Sequence, residues 1–267
     1  MRTIIVQISQ NIVGVFDTES ITSINMSYTD VMQVIYLEAL VDDIKKDHYG
    51  LLGVDGLTFG TLPGDTSGKV YLIVAGGGYT VDAGRTDKNY QVLYVYDPDT
   101  LAARTYDLDT ANPNRNGPVL YQKLFIYTGQ HFSGPQPIAY DVDAGDIWVT
   151  MYAEVAEGFP PYRLLVIDHS VAPVMQDLDL GESAANYEAS AKQGYVVTLK
   201  EVGAQDAATG IWGYASVPRD VATGFISLGN DYFYVSYNGT DNGLQYSRAQ
   251  LYRLDRSTYT FAQVSAS

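Results

Sequence analysis

Asp141-Val142-Asp143-Ala144-Gly145-Asp146 places three carboxylates in one short segment. A hard cation such as calcium takes several oxygens from a tight loop, so Asp141, Asp143 and Asp146 are the calcium candidates. Their spacing is not that of an EF-hand, and a hairpin turn between Tyr140 and Ile147 is the plainer reading. No other cofactor is expected. Glu154 and Glu157 lie beside Phe159 and Pro160. Two carboxylates can cleave a glycosidic bond, one as acid and one as base or nucleophile, which makes this pair the catalytic suspect. His48, His131 and His169 have no second His two or four residues away, so no two-His metal motif exists. Cysteine is absent, which excludes thiol nucleophiles and thiolate metal sites. No Gly-x-Ser-x-Gly nucleophile elbow occurs. Gly76-Gly77-Gly78 follows a strand but opens no helix. It reads as a bulge or loop that needs positive φ, and not as a phosphate cradle. The binding candidates are His131 and Phe132 in the 129–136 loop, Tyr79 and Arg85 at the 80–89 loop, and Phe159 and Tyr162 at the 153–161 loop. His169 follows Asp168 and reads as a turn residue.

These side chains need elements to hold them. The 267 residues are 46% hydrophobic, enough for a core without disulfide or zinc. The formal net charge of −15 argues against nucleic acid, whose phosphates need Lys and Arg. No apolar run of about 18 residues predicts a membrane-spanning helix. The acidic residues are mostly Asp, which prefers turns and strand ends. With 25 Gly and 23 Tyr this is a β-rich composition. Strands are predicted at 69–75, 91–96, 146–152, 163–167, 194–199, 232–237 and 249–254. From Asp30 to Lys46 the apolar residues Val31, Val34, Ile35, Leu37, Val41 and Ile44 suit one helix face. Thr29 or Asp30 would cap that helix, and Gly50 follows its end. The rival is a buried strand from Val31 to Ala39.

A repeat is visible. Gln91-Val92-Leu93-Tyr94-Val95-Tyr96-Asp97 aligns with segments ending in Asp17, Asp168 and Asp255. Each is a strand, then Asp, then a short turn. The last three copies are preceded by a strand pair around Gly68, Gly145 and Gly229, and a degenerate fifth copy runs through 210–218. Units of about four antiparallel strands that cannot bury a face alone pack around an axis as a β-propeller. Leu93-Tyr94-Val95-Tyr96-Asp97-Pro98-Asp99-Thr100 resembles the outer strand and turn of blades in kelch-like and quinoprotein-like propellers. The expected fold is therefore all-β, an irregular four- or five-bladed propeller in one domain, 1–267. A β-sandwich or jelly roll with long loops is the alternative.

The function expected from this composition is a non-enzymatic interaction or structural module. Recognition would fall to the loops at 80–89, 111–117, 129–136, 153–161 and 239–245. The opening Met1-Arg2-Thr3-Ile4-Ile5-Val6-Gln7 lacks the long apolar run of a signal peptide. A Cys-free, Tyr-, Gly- and Asp-rich chain made without a signal suits a virion component: a phage tail, fibre or capsid-associated protein, structural or receptor-binding. The location expected is the virion or the extracellular space, and the expected partners are other protein subunits, a homo-oligomer among them, or a surface glycan. The alternatives are a secreted carbohydrate-binding or glycoside-hydrolysing propeller and an intracellular scaffold.

Overall fold

The structure is a computed structural model that describes residues 4–9, 11–17, 33–78, 84–101, 119–131, 134–152, 155–215 and 224–265. These residues are mostly β-strand. β1 (Ile4–Ser9), β2 (Ile12–Asp17) and β3 (Gln33–Tyr36) form an antiparallel meander. Helix α1 (Glu38–Lys45) follows. β4 (Gly53–Gly60), β5 (Tyr71–Gly77), β6 (Tyr90–Tyr96) and β7 (Leu120–Tyr127) form a second meander. β8 (Pro135–Tyr140), β9 (Ile147–Met151) and β10 (Leu164–Ile167) form a third. The chain then lends β11 (Val174–Asp177) and β12 (Gln193–Val196) to the second sheet, where β12 runs parallel to β7. It returns through the ribbon of β13 (Ala204–Gln205) and β14 (Trp212–Gly213), and Tyr214 bridges to Leu164 on the edge of the third sheet. β15 (Gly224–Gly229), β16 (Tyr232–Asp241), β17 (Leu244–Asp255) and β18 (Thr260–Gln263) make the last meander.

The sheets stack in chain order, because alternate side chains point to opposite faces. Leu72, Val74, Val92, Tyr94 and Phe125 face Val13, Ile35, Leu37 and Leu40. Ile73, Ala75, Leu93, Val95, Leu124 and Ile126 face Ile138, Ile147, Val149, Leu165 and Ile167. Trp148, Leu164 and Val166 face Phe225, Phe233, Val235, Tyr252 and Leu254. β5 and β6 are therefore buried on both faces along their whole length. Each Val, Leu or Ile so covered contributes roughly 1.5–3 kcal/mol. β8, the first strand of its meander, lies against β4 and β15, the first strands of the neighbouring meanders. A Cβ on Gly56 would come within 2.9 Å of the Gln136 carbonyl and the Ile138 nitrogen, so only glycine allows this approach.

The repeat reads out in the turns. Gly68, Gly145 and Gly229 join first to second strand with φ of 73°, 78° and 82°, a region L side chains rarely adopt. After the third strand, Asp97, Asp168 and Asp255 each accept the backbone N–H two residues on, at 3.0, 2.9 and 2.9 Å. Neighbouring turns also lock together. The Gly64 N–H donates to the His169 carbonyl at 2.7 Å, and Arg256 reaches back to Asp141.

Three expectations change. The segment before α1 is split: Gln33–Tyr36 is a strand and the helix begins at Glu38 with no side-chain cap. Val34 and Ile35 are β-branched and sit in register with Gly14 and Val13, so pairing wins there. Residues 18–32, with Thr29 and Asp30, lie outside the described residues. The 210–218 copy forms no sheet of its own within 210–215; it is the ribbon that edges the third meander. Gly76 and Gly77 belong to β5, and none of Gly76, Gly77 and Gly78 has positive φ. They are required by contact instead: a Cβ on Gly77 would strike the Asp55 carboxylate, and one on Gly78 the Gly50 carbonyl.

Candidate functional site

Buried polar side chains gather at the sheet of β4–β7. Asp43, His48, Asp87, Lys88, Asn89, Gln91, Thr128 and His131 are all buried there. α1 brings Asp43 onto its inner face beside Leu40. The turn after the helix brings His48, the start of β6 brings 87–91, and the end of β7 brings 127–131. The segment 178–191 closes over them through two short 3-10 turns.

The groups form one connected chain of contacts. Asp43 accepts Tyr94 Oη at 2.5 Å and pairs with Lys123. His48 Nδ1 lies 3.3 Å from Asp43 and Nε2 lies 3.3 Å from Glu188, which Lys46 holds at 2.8 Å. The imidazole stacks on Tyr187, centroids 4.2 Å apart. Tyr187 Oη accepts from the Tyr49 N–H and donates to Asp87 at 2.6 Å. Arg85 grips Asp87 through two nitrogens at 2.9 and 2.7 Å and reaches Asp47 at 2.6 Å. Each buried carboxylate thus meets a cation, as burial of charge requires. The cluster fastens 178–191 to the sheet, helped by Thr86 donating to the Leu180 carbonyl and Asn89 to the Asp179 carbonyl, both at 3.0 Å.

Beside it lie Lys88, Asp55 and His131. The Lys88 stem runs over Gly50, and its ammonium reaches Gly78. Burial, with Arg85 adding, pulls the Lys88 ammonium down to about 8. Burial pushes the Asp55 carboxyl up, and Lys88 partly offsets that. Burial, with Lys88 nearby, pushes the His131 imidazole down to about 4, and its Nδ1 has no hydrogen-bond partner. Neutral His131 and a weakened ammonium are chemically able to move protons. Both side chains are only 1% exposed, however, so their present role is packing.

The three Asp candidates do not converge on one point. Arg256 holds Asp141 through two nitrogens at 2.9 and 3.0 Å, and Trp148 Nε1 lies 3.3 Å from the same carboxylate. Asp143 accepts the N–H groups of Asn230 and Asp231 at 3.0 and 2.8 Å, which hold its carboxyl below the usual range. Asp146 faces Lys200 at 2.9 Å and accepts the His169 N–H at 3.1 Å. This is a clamp between adjacent meanders. Among the described residues no group of three or more His, Cys, Asp or Glu is placed to hold a metal ion.

Of the other candidates, Arg85 and His131 belong to the buried cluster and its border. Phe159 covers Gly129, where a Cβ would meet its ring at 1.9 Å, and Tyr162 is a core residue packed on Gly213. Glu157 stands exposed in a turn. Tyr79, Phe132 and Glu154 lie outside the described residues. Asp43, His48, Asp87, Lys88 and Tyr187 escaped sequence reasoning. One signal existed: Asp43 interrupts the apolar spacing of the helix face.

Two surface features remain. A groove of about 470 Å³ follows the meeting of β4, β8 and β15, lined by Leu57, Ile138, Phe225, Ile226 and Tyr234 among others. A second, of about 390 Å³, has Tyr121 and Tyr71 on its wall, ring centroids 4.8 Å apart, with Asp65, Ser67 and Gln122 beside them. Comparison of the chain with protein-family models, curated proteins and solved structures finds no match.

Proposed function

We propose that this chain is a non-enzymatic interaction module, a structural or receptor-binding component of a virion. The observation that carries the proposal is the β16–β17 hairpin. Its strands pair from Tyr232 and Arg253 out to Asp241 and Leu244. β15 stops at the partner of Ser236, and β18 at the partner of Tyr252. Beyond those points no described residue pairs with the outer edges of the two strands. Five further residue pairs carry it roughly 17 Å outward at about 3.4 Å per residue. A two-stranded hairpin is marginal in water, yet this one is stiffened. Asn242 and Gly243 take φ of 49° and 79°, as a tight two-residue hairpin turn requires. Tyr246 lies over Gly239 and under the Arg248 guanidinium, 4.7 Å away. Leu244, 74% exposed, sits at the tip. A rigid arm ending in an exposed Leu suits contact with another molecule. The four stacked meanders, three of them with adjacent first strands β4, β8 and β15, are consistent with blade-like units of an irregular, open propeller that presents this arm.

The test is a photo-crosslinking residue at Leu244 in the full chain, expressed in its natural source. An adduct to another protein or to a surface component is expected. No adduct from Leu244, nor from the same residue at Tyr246, overturns the proposal.

A carbohydrate-binding reading has one observation of its own. Tyr121 is 54% exposed in a groove with Asp65, Ser67 and Gln122, an aromatic face beside hydrogen-bonding groups. On that reading a glycan from a broad panel raises the melting temperature, and Tyr121→Ala removes the rise. No shift across the panel rejects it.

A further inference from the structure

Among the described residues, no element packs on the outer face of the β15–β18 sheet. Ile226, Tyr234 and Leu251 lie side by side in register across β15, β16 and β17. Ile226 is 56% exposed, Leu228 46% and Tyr234 44%. Three sheet-on-sheet or helix-on-sheet interfaces inside the molecule bury faces of this kind. The apolar surface continues around β15 into the groove shared with Leu57 and Ile138. Contiguous exposed aliphatic and aromatic side chains of this sort mark an interaction surface.

We propose that this face pairs with the same face of a second copy of the chain. The inference rests on the interaction-module reading and names one partner. Charge selects the partner. The chain carries −15, so two copies repel wherever carboxylates face one another. The in-register rows Ile226–Tyr234–Leu251, Ser236–Ala249 and Tyr232–Arg253–Ala262 contain no carboxylate. Arg253 is the one charge there, its guanidinium 5.8 Å above the Tyr232 ring. Asp255 follows on the rim of the same strand. A two-fold axis makes an interface from one patch used twice. It sets aliphatic against aliphatic in the middle and can bring Arg253 of each copy to the acidic rim of the other. The face is thus self-complementary.

The experiment is the native mass of the full chain by light scattering after gel filtration, from low to high micromolar concentration. The expected result is a dimer, twice the 29.3 kDa chain. Ile226→Lys with Leu228→Lys should return the mass to one chain while the circular dichroism and melting temperature stay near wild type, since both side chains are already exposed. If that pair fails to fold, Tyr234→Lys alone reads the same face. Added salt should strengthen the dimer, because it screens repulsion between acidic copies while apolar contact persists. A monomer at every concentration overturns the inference, and so does an oligomer that survives these substitutions. A monomer that still yields Leu244 adducts to another protein rejects the dimer and leaves the module standing. A dimer without adducts does the reverse.

Discussion

His131 shows how one residue links burial to pH. Its imidazole is held near 4, against an unfolded value of 6.5, because burial penalises the charged ring. Between those values the unfolded chain binds the extra proton, so stability rises with pH across the window and falls as pH drops from about 6.5 to 4. The loss over that range is on the order of 3 kcal/mol. Urea unfolding at pH 7 and at pH 4.5 measures it. His131→Gln should flatten this limb, and an unchanged slope would assign the acid sensitivity elsewhere. Sequence marked His131 as a binding candidate in a loop, and not as a buried group, since nothing local tells a buried histidine from an exposed one. Asp43 and Asp87 were missed for the same reason: their cations, Lys123 and Arg85, are chosen by packing of the helix and the loop against the sheet.

Individual strands were legible where alternation or a continuous apolar run ended in an Asp or Gly turn. The seven strands expected from sequence are all present, several with shifted ends. β4, β8 and β15 were expected only as first partners across the Gly68, Gly145 and Gly229 turns, without bounds. They carry Gly, Pro and Thr, because their work is close approach and not side-chain bulk. That makes Gly56 a sensitive position. A methyl group there meets backbone on β8 at 2.9 Å, and backbone cannot turn aside as a flexible side chain can. Gly56→Ala should cost about 1–3 kcal/mol, the usual range for overpacking. Chemical denaturation reads this directly. A change within a few tenths of a kcal/mol would mean that the two meanders slide apart freely. The strand at Gln33–Tyr36 teaches the complementary point: a helical spacing of apolar residues is also a strand followed by a helix when the first half is β-branched and has a partner waiting.

At the scale of the whole molecule the governing fact is that the described sheets stack in chain order. Chain order and stacking order agree, and the Asp141–Arg256 contact, spanning 115 residues, ties the third meander to the last. The excursion of β11 and β12 onto the second sheet lies between the repeat aspartates Asp168 and Asp255 and lengthens that interval. A net charge of −15 spreads repulsion between copies over the surface, and in the proposed dimer the outer face of β15–β18 supplies the attraction. The expected dimer, and its strengthening with salt, follow from that balance between spread-out repulsion and local apolar contact.

Sequence alone carried the β-rich class, the repeated strand-Asp-turn unit and the placing of glycine turns at Gly68, Gly145 and Gly229, though the positive φ it placed at Gly76–Gly78 lies instead at those turns. These are local: an Asp bonds an amide two residues away, and a glycine relieves its own backbone. Only the tertiary structure decided which turns lock together, which carboxylates are buried with a cation, and which apolar face is left in water. Tyr49 meets Tyr187 across 138 residues, and Ile226 stands 56% exposed on the outer face of its sheet while Phe225 beside it is buried. Such outcomes depend on where distant segments come to rest, and a pattern with a period of two or four residues carries no record of that.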